Sequence, residues 1–247
     1  MKSITDSLEP AAAKTSVVLD LSAVIATVTQ GEPRVLLVEE AIDGGKSRPR
    51  LPFGPFDPGG DRTMEEGLRR WVAEQTGINL EFVEQLYTFG DRFRDPTERA
   101  GGLRPISVGY VALVRQSAAK RLAGASWFDW YRLFPWEDWR TGAPNVIPDV
   151  IEPMLTSWMA AAEDITVRRS RRERAEVAFG LSDVGWDADR VLERYELLYE
   201  TGLVTEVLAD GRIQTEPDQE EAHSRTGLSL AQDHRRILAT ALGRLRG

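Results

Sequence analysis

The sequence predicts an α/β (α+β) sandwich of mixed sheet and helices in residues 15–140, followed by a mostly helical segment. Two observations support this prediction. Apolar runs rich in Val, Leu and Ile lie on both sides of one amphipathic helix, which a Gly/Pro-rich stretch precedes. From about residue 141 onward, the apolar residues recur at helical spacing instead. A sheet–helix–sheet order of this kind packs as layers around one core.

The first two strands are predicted from the runs SVVLDLSAVIATVTQ and PRVLLVEE, which are joined by a turn at residues 30–33. The next stretch, AIDGGKSRPR, is predicted to be a loop because it combines Gly, Pro and charged residues. Two later runs, NLEFVEQLYTFG and PISVGYVALV, are predicted to be strands. The stretch SWFDWYRLFPWEDW then supplies aromatic residues that we expect in the core or in a dimer interface.

The helix between these strands carries its own start and stop signals. Thr63 and Glu66 form a T-x-x-E capping box, and Gly77 stands where a C-terminal glycine belongs. The apolar residues that recur at helical spacing between these signals are Met64, Leu68, Trp71 and Val72. We therefore expect one amphipathic helix, directly after the Gly/Pro-rich stretch.

The second half of the chain is predicted to be mostly helical. Helices are expected in IPDVIEPMLTSWMAAAEDI, RRSRRERAEVAFGL and DADRVLERYELLYETGL, and a last one in SLAQDHRRILATALGRLR. Between the last two helices, VTEVLADGRIQ is expected to form a hairpin with its turn at residues 210–211. Residues 215–229 are polar and acidic, which favours a linker.

Composition excludes several classes of protein. The chain has no cysteine, so disulfides, thiolate metal sites and cysteine nucleophiles are ruled out. His223 and His234 are too few and too far apart for a histidine-rich metal site. There is no G-x-S-x-G elbow, signal peptide or membrane-length apolar run, so we expect a cytoplasmic protein without a membrane partner. The net charge of -8 disfavours nucleic-acid binding by the whole surface.

Residues 51–78, LPFGPFDPGGDRTMEEGLRRWVAEQTGI, resemble the Nudix box, whose pattern is G-x5-E-x7-R-E-U-x-E-E-x-G-U with U aliphatic. The residues that match are Arg70, Val72, Glu74, Gly77 and Ile78. In the Nudix family three helix carboxylates, at relative positions i, i+3 and i+4, share one helix face and grip Mg²⁺ against a pyrophosphate. Here those positions hold Trp71, Glu74 and Gln75.

The loop also departs from the family's pattern, because Phe53-Gly54 replaces a glycine pair and two extra residues precede the helix. An indole and a neutral amide cannot replace two anionic oxygen ligands of a hard divalent ion. Metal-assisted hydrolysis needs that charge. The resemblance therefore implies a Nudix-like fold without metal ligands or catalytic residues, and we do not expect an enzyme.

A narrower resemblance concerns regulators of NAD metabolism. EQLYTFGDRFRDP and PISVGYVALV are similar to the NrtR-type regulators, which are Nudix-related repressors. LPFGPFDP, WVAEQTGI and DHRRILATALGRLR are similar to the alphaproteobacterial NadQ type. The resemblance covers about residues 15–115 and 230–247. It implies a repressor of NAD biosynthesis genes that senses an effector nucleotide (NAD, ADP-ribose or ATP), needs no other cofactor, and binds operator DNA as a homodimer.

The resemblance also implies how the chain is divided. Residues 1–14 are expected to be a disordered N-terminus, 15–140 a nucleotide-sensing domain, 141–228 a helical insertion or extension, and 229–247 a linking helix. In such regulators that helix leads to a C-terminal winged helix, which we expect this chain to lack. An alternative stays open, namely a residual pyrophosphohydrolase that acts on ADP-ribose or another nucleoside diphosphate derivative through Glu74 with Glu65 or Glu66.

Seven residues are expected to bind the nucleotide. Tyr87 would stack on the base and Arg94 would pair with phosphate, because both lie at a strand end and its following loop. The full set is Phe53, Phe56, Arg70, Glu74, Tyr87, Asp91 and Arg94. The alternative is that the aromatic residues pack in the core, while Arg70 and Glu74 pair on the helix surface.

The basic run in the second half is the candidate for contact with DNA phosphates. Its members are Arg168, Arg169, Arg171 and Arg172. The helix and predicted hairpin that follow have the outline of a winged helix. The acidic residues of that helix oppose this interpretation, so an inserted helical element that supports the dimer or closes over the ligand is the alternative.

Overall fold

The computed structural model describes residues 17–42, 46–91, 98, 101–115, 124–209 and 224–246. At its centre lies a seven-stranded mixed sheet. The strands are β1 (Val17–Thr29), β2 (Glu32–Ile42), β3 (Lys46–Arg50), β4 (Phe53–Pro55), β5 (Glu84–Phe89), β6 (Arg104–Leu113) and β7 (Ala125–Asp129). The N-terminus that we expect to be disordered, residues 1–14, lies outside the described residues.

Strand β1 organises the sheet. The main path runs β3-β2-β1-β6-β5, while β4 pairs with β1 and β7 pairs with β2. β1 and β2 form the predicted hairpin, and its turn residues Gln30 and Gly31 have positive φ values of 54° and 81°. β1 and β6 are parallel, an arrangement that needs a long crossover between them. The helix α1 (Met64–Thr76) lies on that crossover.

The two faces of the sheet are covered by different helices. Alternate residues of a strand point to opposite faces. Leu21 and Ile25 of β1 therefore share one core cluster with Val72 of α1. Val24 and Ala26 belong to a second cluster, which the helices of the second half complete. The sheet is the middle layer of a three-layer sandwich, which confirms the predicted α/β class.

The second half is helical, as predicted. After a π-helical turn at Ile147–Ile151 come α2 (Glu152–Ala160), α3 (Ile165–Phe179), α4 (Val191–Glu200), α5 (Glu206–Ala209) and α6 (His234–Arg246). The expected hairpin is wrong in its first half, because α5 occupies that stretch. Its turn and second half lie outside the described residues. Among the helices that the structure describes, none has the length and apolar character needed to cross a membrane.

Two short strands escaped prediction. β3 lies in the stretch expected to be a loop, and Pro49 is tolerated there because β3 is an edge strand. β4 has three residues within the Gly/Pro-rich stretch, and Phe53 pairs with Ser22 of β1. Neither run is long enough to display the alternation that predicts a strand.

Buried ion pairs join the helical half to the rest of the protein. The Glu137 carboxylate accepts hydrogen bonds of 2.6 and 3.0 Å from Arg194 of α4, and both side chains are fully buried. Arg246 of α6 contacts the same carboxylate at 2.5 Å. Arg235 of α6 pairs with Glu206 of α5 at 3.1 Å, also in the interior. Because a buried charge without its partner is costly, these pairs fix how the helices pack.

Replacing Glu137 with Gln leaves two arginines around a neutral amide. We expect the free energy of unfolding to fall by about 3 to 5 kcal/mol, as measured by urea denaturation. The matched control is Glu173→Gln, which removes an exposed partner of Arg169. It should change stability by about 0.5 kcal/mol or less. Equal effects of the two substitutions would contradict the role given to the buried pair.

Candidate functional site

Helix α1 begins and ends as the sequence predicts. The Thr63 hydroxyl accepts a hydrogen bond of 3.1 Å from the Glu66 backbone N–H. Gly77 has a left-handed conformation with φ of 64°, and its N–H donates to the Ala73 carbonyl. The predicted N-cap at Thr63 and the C-terminal glycine at Gly77 are therefore confirmed.

The Gln75 side chain forms hydrogen bonds with both the backbone N–H and the backbone carbonyl of Phe53 in β4. Its amide oxygen accepts from the Phe53 N–H at 3.2 Å, and its amide nitrogen donates to the Phe53 carbonyl at 2.7 Å. The side chain thus imitates a neighbouring strand. Gln75 thereby fastens β4 to α1.

Trp71 seals the same contact. Its indole N–H donates to the Pro55 carbonyl at 2.9 Å, and Arg70 lies 4.5 Å from the ring centre. The ring rests on the backbone of Gly54, where an added Cβ would come within 2.1 Å of the indole. Gly54 is therefore required for close approach, whereas its φ is not in the left-handed region.

An ion pair between Asp61 and Arg70 holds the loop between β4 and α1 against the helix. Asp61 is buried and accepts hydrogen bonds from Arg70 at 3.1 and 3.0 Å and from the Asp57 N–H at 3.0 Å. These bonds lower the pKa of the Asp61 carboxyl below its ordinary value, with the Arg70 bonds as the larger cause. Arg70, which was predicted to bind the ligand, therefore binds the loop that precedes its own helix. Its partner Asp61 was not predicted from the sequence.

The carboxylates of α1 are not grouped at one place on the helix. Glu74 is exposed and lies 3.8 Å from Arg70, so the predicted surface pair is present. Glu65 and Glu66 precede Glu74 by eight or nine residues, which is about 12 Å along a helix. Oxygen ligands of a divalent ion lie within about 2.6 Å of it, a closer grouping than this spacing along the helix provides. Within the described ranges, no group of three or more Asp, Glu, His or Cys residues could hold a metal.

The two phenylalanines of the loop lie in different parts of the core. Phe53 packs edge-on against His234 of α6, with ring centres 4.8 Å apart. Phe56 packs with Leu19 and Met64 in the cluster that α1 covers. The expectation that both wall one ligand pocket is not met, because the sheet separates their neighbours.

Tyr87 and Phe53 end one row of residues across the sheet. Cross-strand pairing places Phe53 beside Ser22, Ser22 beside Gly109 and Gly109 beside Tyr87. Strands are about 4.8 Å apart, so the ends of the row are separated by about 14 Å. The middle of the row is covered, since a Cβ on Gly109 would lie 3.0 Å from Ile237 of α6.

The predicted ligand residues therefore fall into two groups. The loop–helix group comprises Phe53, Phe56, Arg70 and Glu74, as described above. The β5 group comprises Tyr87 and Asp91, and both are exposed. The Tyr87 ring packs edge-on against Phe89, with the ring centres 5.2 Å apart. Of these two rings, Phe89 is buried in the core and Tyr87 is exposed. Arg94 lies outside the described residues.

His234 also belongs to this region, although the sequence suggested no contact for its side chain. It is buried, and its Nδ1 accepts a hydrogen bond of 3.1 Å from the Leu51 N–H. Three residues before His234, the Ala231 N–H donates a hydrogen bond of 2.9 Å to the Pro49 carbonyl. The start of α6 is thereby fastened to the chain that leads into β4. A lone histidine after a polar segment gives no sequence signal for such a contact.

The basic run lies on α3, but half of it serves the protein itself. Arg168 donates to the Ala162 carbonyl at 2.7 Å, and Arg171 donates to the Trp158 carbonyl at 2.6 Å. Both therefore hold carbonyl groups at the end of α2. Arg169 is exposed and pairs with Glu173 at 2.9 Å, and Arg172 is exposed as well. The four arginines do not act as one free patch.

A groove of about 450 Å³ lies between α3 and α4, away from both ligand groups. Its apolar floor includes Val177 and Leu192, and its rim includes Glu173, Glu193 and Glu196. Arg174 also lines the groove, and each of these glutamates pairs with an arginine.

The fold and the site define a class of protein: a three-layer sandwich with a capped loop–helix closing one end of a mixed sheet. The chain belongs to the NUDIX family, since the NUDIX domain model matches residues 19–150, just over half of its 247 residues. No curated protein matches the sequence.

Several solved structures are similar over part of the chain. The NUDIX domain of Shewanella oneidensis NrtR, cocrystallised with ADP ribose, is 29% identical over 46% of this chain and 73% of that chain, with a TM-score of 0.40. The same regulator complexed with a 27mer DNA is 20% identical over 90% and 83%, with a TM-score of 0.40. A MutT/nudix family protein from Enterococcus faecalis is 20% identical over 49% and 47%, with a TM-score of 0.40.

The substitution Gly54→Ala inserts a methyl group into the contact with Trp71. We expect it to lower the free energy of unfolding by about 1 to 3 kcal/mol, because a filled contact cannot take more volume. In a Trp71→Ala background the same substitution should be close to neutral. A double-mutant cycle in urea measures this coupling. Equal costs in both backgrounds would show that the indole does not limit the space at Gly54.

The Asp61–Arg70 pair makes stability depend on pH. Because the folded pKa of Asp61 is lowered, its contribution is complete above the unfolded value of about 4 and is lost as pH falls through the folded value. The melting-temperature difference between wild type and Asp61→Asn should therefore be large at pH 6 and shrink toward about pH 2. Glu81→Gln removes an exposed carboxylate and should leave the wild-type profile unchanged. A pH-independent difference would contradict this assignment.

Proposed function

We propose that this chain is the effector-sensing, dimerising part of a transcriptional repressor of NAD biosynthesis genes, and that it does not hydrolyse nucleotides. The observation that carries the proposal is the contact of Gln75 and Trp71 with the backbone of β4. The helix face that would carry metal ligands in a hydrolase attaches α1 to β4 here. The proposal places the protein in the cytoplasm.

The chemistry of the loop–helix group supports the absence of catalysis. A metal-assisted pyrophosphohydrolase needs several anionic oxygens around one or two divalent ions to activate water and neutralise the leaving phosphate. Glu74 alone supplies one carboxylate, and Arg70 lies 3.8 Å from it. The positive charge of Arg70 competes with a cation for the same oxygens.

An adenine nucleotide is the effector that we propose, with NAD, ADP-ribose and ATP as candidates. The exposed ring of Tyr87 offers a stacking surface for a base. The NrtR relative cocrystallised with ADP ribose makes ADP-ribose the first nucleotide to test. Asp91 follows β5 and is exposed, so it can accept a hydrogen bond from a ribose hydroxyl.

Operator DNA is the proposed macromolecular partner, bound by a homodimer of the whole protein. Of the basic run, Arg169 and Arg172 keep exposed side chains that can reach phosphates. Arg168 and Arg171 are engaged with carbonyl groups, so we withdraw them as direct DNA contacts. The effector controls DNA binding by favouring one arrangement of the dimer.

The proposal is tested by calorimetry with ADP-ribose, NAD and ATP, alongside a turnover assay with Mg²⁺ or Mn²⁺. At least one nucleotide should bind with a Kd below about 1 mM, and none should be hydrolysed above background. Tyr87→Ala should weaken binding about tenfold through the loss of stacking. The control Phe82→Ala removes an exposed ring of the same domain and should bind normally.

Two results would contradict the proposal in different ways. If no nucleotide binds at millimolar concentration, the chain is not a nucleotide sensor. If ADP-ribose turns over steadily with Mg²⁺ and Glu74→Gln abolishes that turnover, the residual pyrophosphohydrolase is established instead. The exposure of Glu74 is the one feature that favours this second function.

A further inference from the structure

Helix α6 contacts the loop–helix group at one end and strand β5, which carries the β5 group, at the other. At its start, His234 contacts Leu51 and Phe53. At its other end, Arg244 pairs with Glu84 of β5 at 2.7 Å. Between these contacts the helix lies directly on the backbone of the sheet at Gly109. One helix therefore spans the row of residues that separates the loop–helix group from the β5 group.

A continuous set of polar contacts leads from α1 to the start of α6. Gln75 holds both backbone groups of Phe53, as described above. Two residues earlier in the chain, the Leu51 N–H donates to His234 at 3.1 Å. Pro49, two residues earlier again, accepts from Ala231 at 2.9 Å. Because the three contacts are made by alternate residues of one short stretch, a shift of Phe53 moves the partners of His234 and Ala231 with it.

The contacts at His234 leave it little freedom. The ring is buried, edge-on to Phe53, while the Arg50 guanidinium lies 4.5 Å from the centre of that same Phe53 ring. Phe53 is thus held between α6, the Arg50 cation and the Gln75 amide. A side chain held from three directions adopts a new position only if its partners also move.

We propose that the contact of His234 with Leu51 and Phe53 is the point at which the loop–helix group controls the seating of α6. This regulatory role rests on the proposed function and adds to it that α6 carries the sensor's response. Residues 49–53 act as the connecting stretch, and Gln75 sets their position. His234 is accordingly a positioning residue and does not touch the nucleotide.

The first experiment needs no ligand. Hydrogen exchange is measured on the full chain for wild type, Gln75→Ala and the matched control Glu74→Ala, which changes the neighbouring residue without touching β4. We expect Gln75→Ala to speed exchange in α6 about fivefold or more. Exchange in α3, which does not pack on α6, should be unchanged in both variants. An equal increase in α3 and α6 would show general destabilisation, and an unchanged α6 would show that no link exists; either result overturns the proposal.

A second variant identifies His234 as the receiving residue. His234→Leu removes the acceptor of the Leu51 N–H. This single substitution should therefore also speed hydrogen exchange in α6. Adding Gln75→Ala to His234→Leu should then cause no further increase in α6. If the two effects add in full, Gln75 acts on α6 by another route, and the role of His234 is overturned.

Measurements with a nucleotide distinguish a failure of this proposal from a failure of the proposed function. Calorimetry first establishes whether ADP-ribose binds, and exchange is then compared with and without ADP-ribose. We expect α6 exchange to change about fivefold or more in wild type and to change little in His234→Leu. Binding without any change in α6 overturns the regulatory role and leaves the sensor intact. A response of α6 to Gln75→Ala in a protein that binds no nucleotide overturns the sensor and leaves the link.

Discussion

The amide of Gln75 determines what this Nudix-type helix can do. An amide both accepts from the Phe53 N–H and donates to the Phe53 carbonyl, whereas a carboxylate could only accept. A glutamate at this position would bring its charge toward the Phe53 carbonyl oxygen, and the two would repel. An amide at this position therefore fastens the loop and carries no negative charge. The indole of Trp71 and the bare backbone of Gly54 complete the same closure.

Arginine plays a structural part throughout the protein. Arg194 and Arg235 lie fully buried with Glu137 and Glu206, and they join the helical half to the layers around the sheet. On α3, Arg168 and Arg171 satisfy carbonyl groups of the preceding helix. A cluster of arginines in a sequence therefore says little about nucleic acids until the partners of each guanidinium are known. The guanidinium group suits such positions because its five N–H donors reach several acceptors at once.

The sequence predicted those features that depend on local patterns. The hairpin of β1 and β2, the capping box at Thr63 and the glycine end of α1 all follow from residues within a few positions of one another. Contacts over long sequence separations could not be predicted, because no local pattern encodes them. His234 and Leu51 are 183 residues apart, and Asp61 reaches Arg70 only after the loop has folded.

The edge strand β3 has a consequence for how the sheet meets other molecules. Its five residues, Lys46–Arg50, include three basic side chains and Pro49. The outer margin of an edge strand can pair with a strand of another chain, and proline lacks the N–H that such pairing needs. The Pro49 carbonyl is in addition already bonded to the Ala231 N–H. Repulsion between like charges would keep two copies from stacking along this margin. Self-assembly by strand addition is thereby discouraged on this side of the molecule, which leaves pairing of subunits to other surfaces.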